Sequence, residues 1–249
     1  MRLRALMVVA SAVLIATRAL AGCTDPAGPE LSAKLAEDFT TKPDGPVAET
    51  ADSSQVWTQT ASRPQAVPTI SGGAFTNADT SPGPSANYLT ARLRGSVTHA
   101  AAEFDFGPTG TDGENVTLIA SSRDLPGGTN GPGLASDLMM HVAFTSSGWI
   151  WSNSTGGSGA LTTVKSVSYG SFQPGSGLQK VSVVLDAQHN TAKVQGADGK
   201  VTEVADSAIG TIRSPFITFE VYYGAAESDK RANVRKVEAD SSPIEASKG

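Results

Sequence analysis

Glu103 and Asp105 stand two apart in the run Glu103-Phe104-Asp105-Phe106-Gly107-Pro108. In an extended strand, residues two apart share a face. Two carboxyls on one face are the raw material of glycoside hydrolysis, whose retaining form holds them about 5 Å apart with one able to donate a proton. Glu220 is the candidate for a further carboxyl from another strand. The simpler reading is two carboxylates on a solvated face, and no catalytic residue is assigned. Trp149 and Trp151 also stand two apart and could form a platform on which a sugar ring stacks. His99, His141 and His189 are scattered, with no His-x-His spacing and no Ser–His–acid order. Asp112-Gly113-Glu114-Asn115 is oxygen-rich but lacks a calcium-loop ligand spacing and reads as a turn. The Gly-rich stretches at Gly127-Gly128 and Gly156-Gly157 open no helix that could cradle a phosphate. The sequence therefore predicts no metal and no other cofactor.

These side chains need strands to position them. From Asp38 to about Asp240 no helical period is sustained, and short β-type runs recur between Gly, Pro, Asn and Asp. The chain has 26 Gly and 14 Pro among 249 residues, an excess that suits many turns. Asp198-Gly199 between two β runs is its best hairpin signal. In Leu138–Thr145 the even set Leu138, Met140, Val142 and Phe144 is apolar and faces a core, so His141 points away. In Phe216–Tyr223 the odd set is apolar, which leaves Glu220 and Tyr222 on the opposite face. A two-residue turn near Ser146-Ser147 would place both tryptophans with the core set, and an odd-length loop would place them beside His141. Ala232–Ala239 breaks alternation and calls for a bulge. Many short strands at near-even spacing predict an all-β sandwich or barrel, and the antiparallel sandwich is the expected form. The candidate ligand-binding set is His141, Trp149, Trp151, Glu220 and Tyr222.

The first residues carry an address. Met1-Arg2-Leu3-Arg4 is basic, and Ala5 to Ala16 is a twelve-residue apolar run, too short to span a bilayer. The pair reads as a secretory signal. Leu20-Ala21-Gly22-Cys23 resembles a bacterial lipobox, with Arg18 a departure from the usual pattern. The resemblance implies cleavage before Cys23 and transfer of a diacylglyceryl group to its sulfur. Cys23 is the only cysteine of the chain, which excludes a disulfide framework and a multi-thiolate zinc site. The whole chain carries a net charge of −5, which argues against nucleic acid as a partner. Removal of residues 1–22 leaves 16 of the 19 basic residues against 24 acidic ones, a net −8 that is expected to be held to a membrane by its lipid and not by a basic patch. The expected layout is signal peptide 1–22, lipidated Cys23 and tether 23–37, sandwich 38–240 and flexible tail 241–249. The expected location is the extracytoplasmic face of a membrane.

Asp38-Phe39, Asp44-Gly45-Pro46 and Trp57, with Gly148-Trp149-Ile150-Trp151, Leu178 to Val183, Asp198-Gly199 and the closing Val234-Arg235-Lys236-Val237, resemble concanavalin A-like jelly-roll domains of the laminin-G-like type. The resemblance implies a jelly-roll sandwich whose last strand returns beside its first. Members of that fold bind glycans, cleave polysaccharides or serve as adhesion modules, so fold alone does not choose. Its retaining glycanases carry Glu-x-Asp-x-(x)-Glu on one strand. Here Gly107 and Pro108 stand where the second Glu would be. The expectation is a lipid-anchored, non-catalytic module for a glycan or envelope component. The alternatives are a diverged glycoside hydrolase and an assembly lipoprotein that contacts proteins.

Overall fold

The computed structural model describes residues 31–47, 57–63, 66–79, 83–106, 114–124, 127–128, 131–132, 138–155, 161–171, 177–224 and 232–242. The signal segment, Cys23, the first part of the tether and residues 243–249 lie outside the described residues. In chain order the strands are β1 Lys34–Asp38, β2 Gly45–Pro46, β3 Thr58–Ala61, β4 Pro68–Ser71, β5 Ala74–Asn77, β6 Ser85–Arg92, β7 Ser96–Asp105, β8 Glu114–Ser121 and β9 Gly127–Gly128. They continue with β10 Gly131–Pro132, β11 Leu138–Phe144, β12 Gly148–Thr155, β13 Thr162–Ser168, β14 Gln179–Asp186, β15 Thr191–Gln195, β16 Val201–Ala205, β17 Phe216–Tyr223 and β18 Asn233–Ser242. One helical turn, α1 Ala208–Thr211, precedes β17.

All pairings are antiparallel. A nine-stranded sheet runs β16-β15-β14-β7-β18-β5-β4-β2, with β1 also on β18, and a seven-stranded sheet runs β13-β12-β11-β8-β17-β6-β3. The two face each other across one apolar core that holds Phe104, Val183 and Val237 from the first sheet and Leu118, Val142 and Phe219 from the second. The fold is an all-β sandwich of two antiparallel sheets, one of the two forms that the alternation predicts and the one that the resemblance implies. Val142, on the even parity of β11, is buried, and its neighbour His141 points the other way.

Local chemistry sets the connections. Between β11 and β12 the amide of Thr145 donates to the carbonyl of Gly148 (2.8 Å), so the turn is the two-residue kind and Phe144 stands opposite Trp149. Asp198-Gly199 closes the β15–β16 hairpin, with Gly199 at φ +74°, a left-handed conformation that favours glycine. On β18 the register against β7 slips between Val234 and Lys236. Arg235 is the bulged residue, which lets Val234 and Val237 both reach the core.

Two boundaries differ from the sequence reading. The expected tether extends to 37, yet Lys34–Asp38 is a strand paired with β18 from Asp240 to Lys236. Its sequence hides this because Glu37 occupies an inward position. That carboxylate is buried against Lys42 (3.2 Å) and accepts from the Trp57 indole (3.5 Å). At the other end Ser241 and Ser242 belong to β18 and not to a tail, and the Ser241 amide donates to the Ala33 carbonyl (2.8 Å).

Candidate functional site

The outer face of the seven-stranded sheet is built from the off-core parity of its strands. One cross-strand row runs His141, Ile119, Thr218, Thr90. The next runs Ala143, Thr117, Glu220, Tyr88, with Tyr222 two residues beyond Glu220 on the same strand. β-branched and aromatic residues dominate because a pleated sheet packs them well. Most of this face is recessed: Tyr88, Thr90, Thr117 and Thr218 are buried, His141 and Tyr222 are half-buried, and Glu220 is 8% exposed.

Glu220 is the centre of the arrangement. It hydrogen-bonds Tyr88 on one neighbouring strand and Thr117 on the other. Burial pushes its carboxyl up to about 7, against those two hydrogen bonds. The Thr117 hydroxyl also lies 2.8 Å from Asn115 Oδ1. His141 reaches over from β11, its Nε2 4.0 Å from Glu220 Oε2. Burial holds the imidazole down at about 4, so it is neutral at pH 7. Among the described residues its buried Nδ1 has no partner beyond the residue's own backbone. Burial first, then the nearby Glu220, raises the Tyr88 phenol. The site thus sets a neutral imidazole beside a carboxyl that titrates near neutrality, both sunk in a protein face.

Of the five ligand-binding candidates the structure brings together His141, Glu220 and Tyr222. It moves the other two elsewhere. Trp149 and Trp151 are 1% and 0% exposed, in the core between the sheets. The two-residue turn sets their parity, and Trp151 donates its indole N–H to Asp206 at 2.7 Å. That carboxylate also takes Asn153 Nδ2 and the amide of Ala208, which links β12 to the start of α1. The tryptophans are inter-sheet fasteners and not a sugar platform. Glu103 and Asp105 lie on the outer face of the other sheet, across the core from Glu220. Glu103 faces Lys180 (3.8 Å), and Asp105 takes Asn233 (2.9 Å) and Arg235 (3.3 Å). They cannot share a substrate with Glu220, so the carboxyl that the sequence offered from another strand does not join the Glu-x-Asp pair. Tyr88 and Thr117 are the site residues that sequence reasoning missed. Alternation gives each strand its faces, but only the register unites residues 88, 117 and 220.

No family model matches the sequence, and no curated protein is significantly similar to it. Solved structures share the fold at low identity. The Emp47p carbohydrate recognition domain is 13% identical with a TM-score of 0.53, over 84% of this chain and 95% of that one. The seed lectin of Lotus tetragonolobus is 11% identical at 0.52, over 85% and 100%. A glycoside hydrolase family 16 endo-glucanase from Bacteroides ovatus is 11% identical at 0.52, over 82% and 99%. The architecture is the concanavalin A-like jelly roll.

Proposed function

We propose that this chain is an exported lipoprotein, anchored through a diacylglyceryl group on Cys23 to the extracytoplasmic face of a membrane. Its sandwich binds a glycan or glycan-bearing envelope component on the outer face of the seven-stranded sheet and does not cleave it. The observation that carries this reading is the recessed Glu220–His141–Tyr88 cluster, whose buried imidazole nitrogen has no side-chain partner among the described residues. Sugar hydroxyls need both donors and acceptors, and their C–H faces pack on aromatic rings such as Tyr222. Lectins and a carbohydrate recognition domain among the structures of this fold agree with it. Paired-carboxyl hydrolysis finds less support. On the strands of this sheet only Glu114 and Glu220 carry carboxyls, and Glu114 lies on the core parity opposite Tyr223.

A glycan array probed with the mature chain tests the reading, followed by calorimetry of any hit on Glu220→Gln, His141→Gln and Tyr222→Ala. Each variant should weaken binding about tenfold, the scale of one lost hydrogen bond to a buried group. Unchanged affinity in all three, with folding intact, would mean that the site is misplaced. Release of reducing ends from a bound polysaccharide would establish an enzyme instead.

A further inference from the structure

One end of the sandwich gathers the start of β7, the ends of β14 and β18, and α1. There a cleft of about 380 Å³ enters between the sheets, with Val97, Met140, Leu185, Ile209 and Ile212 on its walls. A void of about 20 Å³ lies behind it and shares Val97, Met140 and Leu185. Ala100 and Ala120 line that void and leave the space between the sheets underfilled. The mouth is polar, and Arg213 stands on it, exposed. A cleft of this volume is in the range of small-molecule sites, and its apolar depth with a cationic lip suits an amphiphile with an anionic head.

The same end gathers charge. Seven arginines follow Gly22 in the sequence, and four of them, Arg92, Arg94, Arg123 and Arg213, sit here. The registers fix this: Phe216 opens β17 and pairs with Arg92, the last residue of β6, and with Ser121, the last of β8. Arg92 stacks over Phe216 at 5.7 Å. Of the acids nearby, Asp186 is engaged by His189 and Asp240 by Lys34 and His99. Asp124 also lies on this side, after β8. Among the described residues, a chain that is acidic as a whole thus turns a largely basic end outward.

The first described residues of the chain lie at this end as well. The Arg94 amide donates to the Ser32 carbonyl (2.9 Å), and the Ser241 amide to that of Ala33 (2.8 Å). Ser242, opposite Ser96 in the β18–β7 ladder, lies with Ser96 on the cleft itself. From Cys23 to Leu31 is nine residues, at most about 30 Å when fully extended.

From these three observations we infer that the cleft takes an acyl chain of an anionic phospholipid from the membrane to which Cys23 is tied, with the lipid phosphate at Arg213. The inference rests on the anchoring proposed above for its membrane, and on the cleft for its chemistry. An arginine is suited to phosphate because its planar fork presents several N–H donors at once. The sandwich would stand on its basic end, and the outer face of the seven-stranded sheet would stay free at its flank.

The mature chain carrying Cys23→Ser, which has no acyl group of its own, separates the two ideas. It is mixed with vesicles of phosphatidylglycerol and phosphatidylcholine whose acyl chains are brominated, and tryptophan emission is followed, because Trp151 lines the inner void. The expected result is quenching by anionic vesicles and not by pure phosphatidylcholine. Arg213→Ala should weaken vesicle binding about fivefold, the equivalent of ~1 kcal/mol for one basic residue at an anionic surface. Ala187→Phe, at an exposed position on the mouth, should abolish quenching with the far-UV spectrum unchanged. Vesicle binding without quenching would reduce the end to an electrostatic patch and overturn the cleft assignment. So would a dimer whose contact buries Arg213. Absence of any effect while the native protein carries acyl mass on Cys23 would overturn the inference and leave the anchor standing. Quenching without acyl mass would do the reverse.

Discussion

Glu220 is a carboxyl that the fold prefers neutral, and pH should reveal it. Its value in the folded chain, about 7, stands above the ordinary 4.5. The stabilisation it gives is complete below pH 4.5 and lost as pH climbs through 7. His141 runs the other way: held at about 4 against an ordinary 6.5, it favours the fold above 6.5 and loses that contribution as pH falls through 4. Glu220→Gln preserves the shape and removes the ionisation. In thermal unfolding the variant should gain on the parent between pH 4.5 and pH 8, by on the order of 2 kcal/mol. An equal difference at both pH values would mean that the carboxylate is ionised in the fold at no cost. The face of this residue was legible from Phe216–Tyr223 alone, because Ile217, Phe219, Val221 and Tyr223 are apolar in strict alternation. Its environment was not, since Tyr88 and Thr117 reach it only through pairings more than one hundred residues apart in sequence.

At the level of elements, the placement of the tryptophans depends on the short β11–β12 turn and on Gly148. A Cβ on Gly148 would stand 2.1 Å from the Val167 carbonyl oxygen, against a neighbouring backbone that cannot swing aside. Gly148→Ala should push β13 off β12 and lower stability by about 1–3 kcal/mol, measured by urea unfolding. A neutral result would show that this edge strand contributes little to the cooperative unit. Turn length decided the fate of Trp149 and Trp151, and sequence alone left two lengths open. By contrast the β18 bulge was legible, because Val234 and Val237 are three apart and both had to be buried. β1 was illegible for the opposite reason. Glu37 at an inward position makes Lys34–Asp38 look like charged tether, and only its ion pair with Lys42 and contact with Trp57 explain it.

For the whole molecule, the anchor and the sandwich are separable claims. Intact mass of protein extracted from membranes should show a chain beginning at Cys23 with added acyl mass, and Cys23→Ser should release it or leave it unprocessed. A mature N-terminus elsewhere would end the anchoring proposal and leave the fold untouched. The β18 ladder has a consequence in time. β18 lies between β7 and β5 and also pairs with β1, so that Lys34 meets Asp240 across more than two hundred residues. A chain delivered from its N-terminus cannot close the nine-stranded sheet until its last strand has emerged. Contacts of such long range make folding slow. Until then the apolar edges of β7 and β1 stand open, and the interval between delivery and closure is when this protein is most exposed to aggregation and proteolysis.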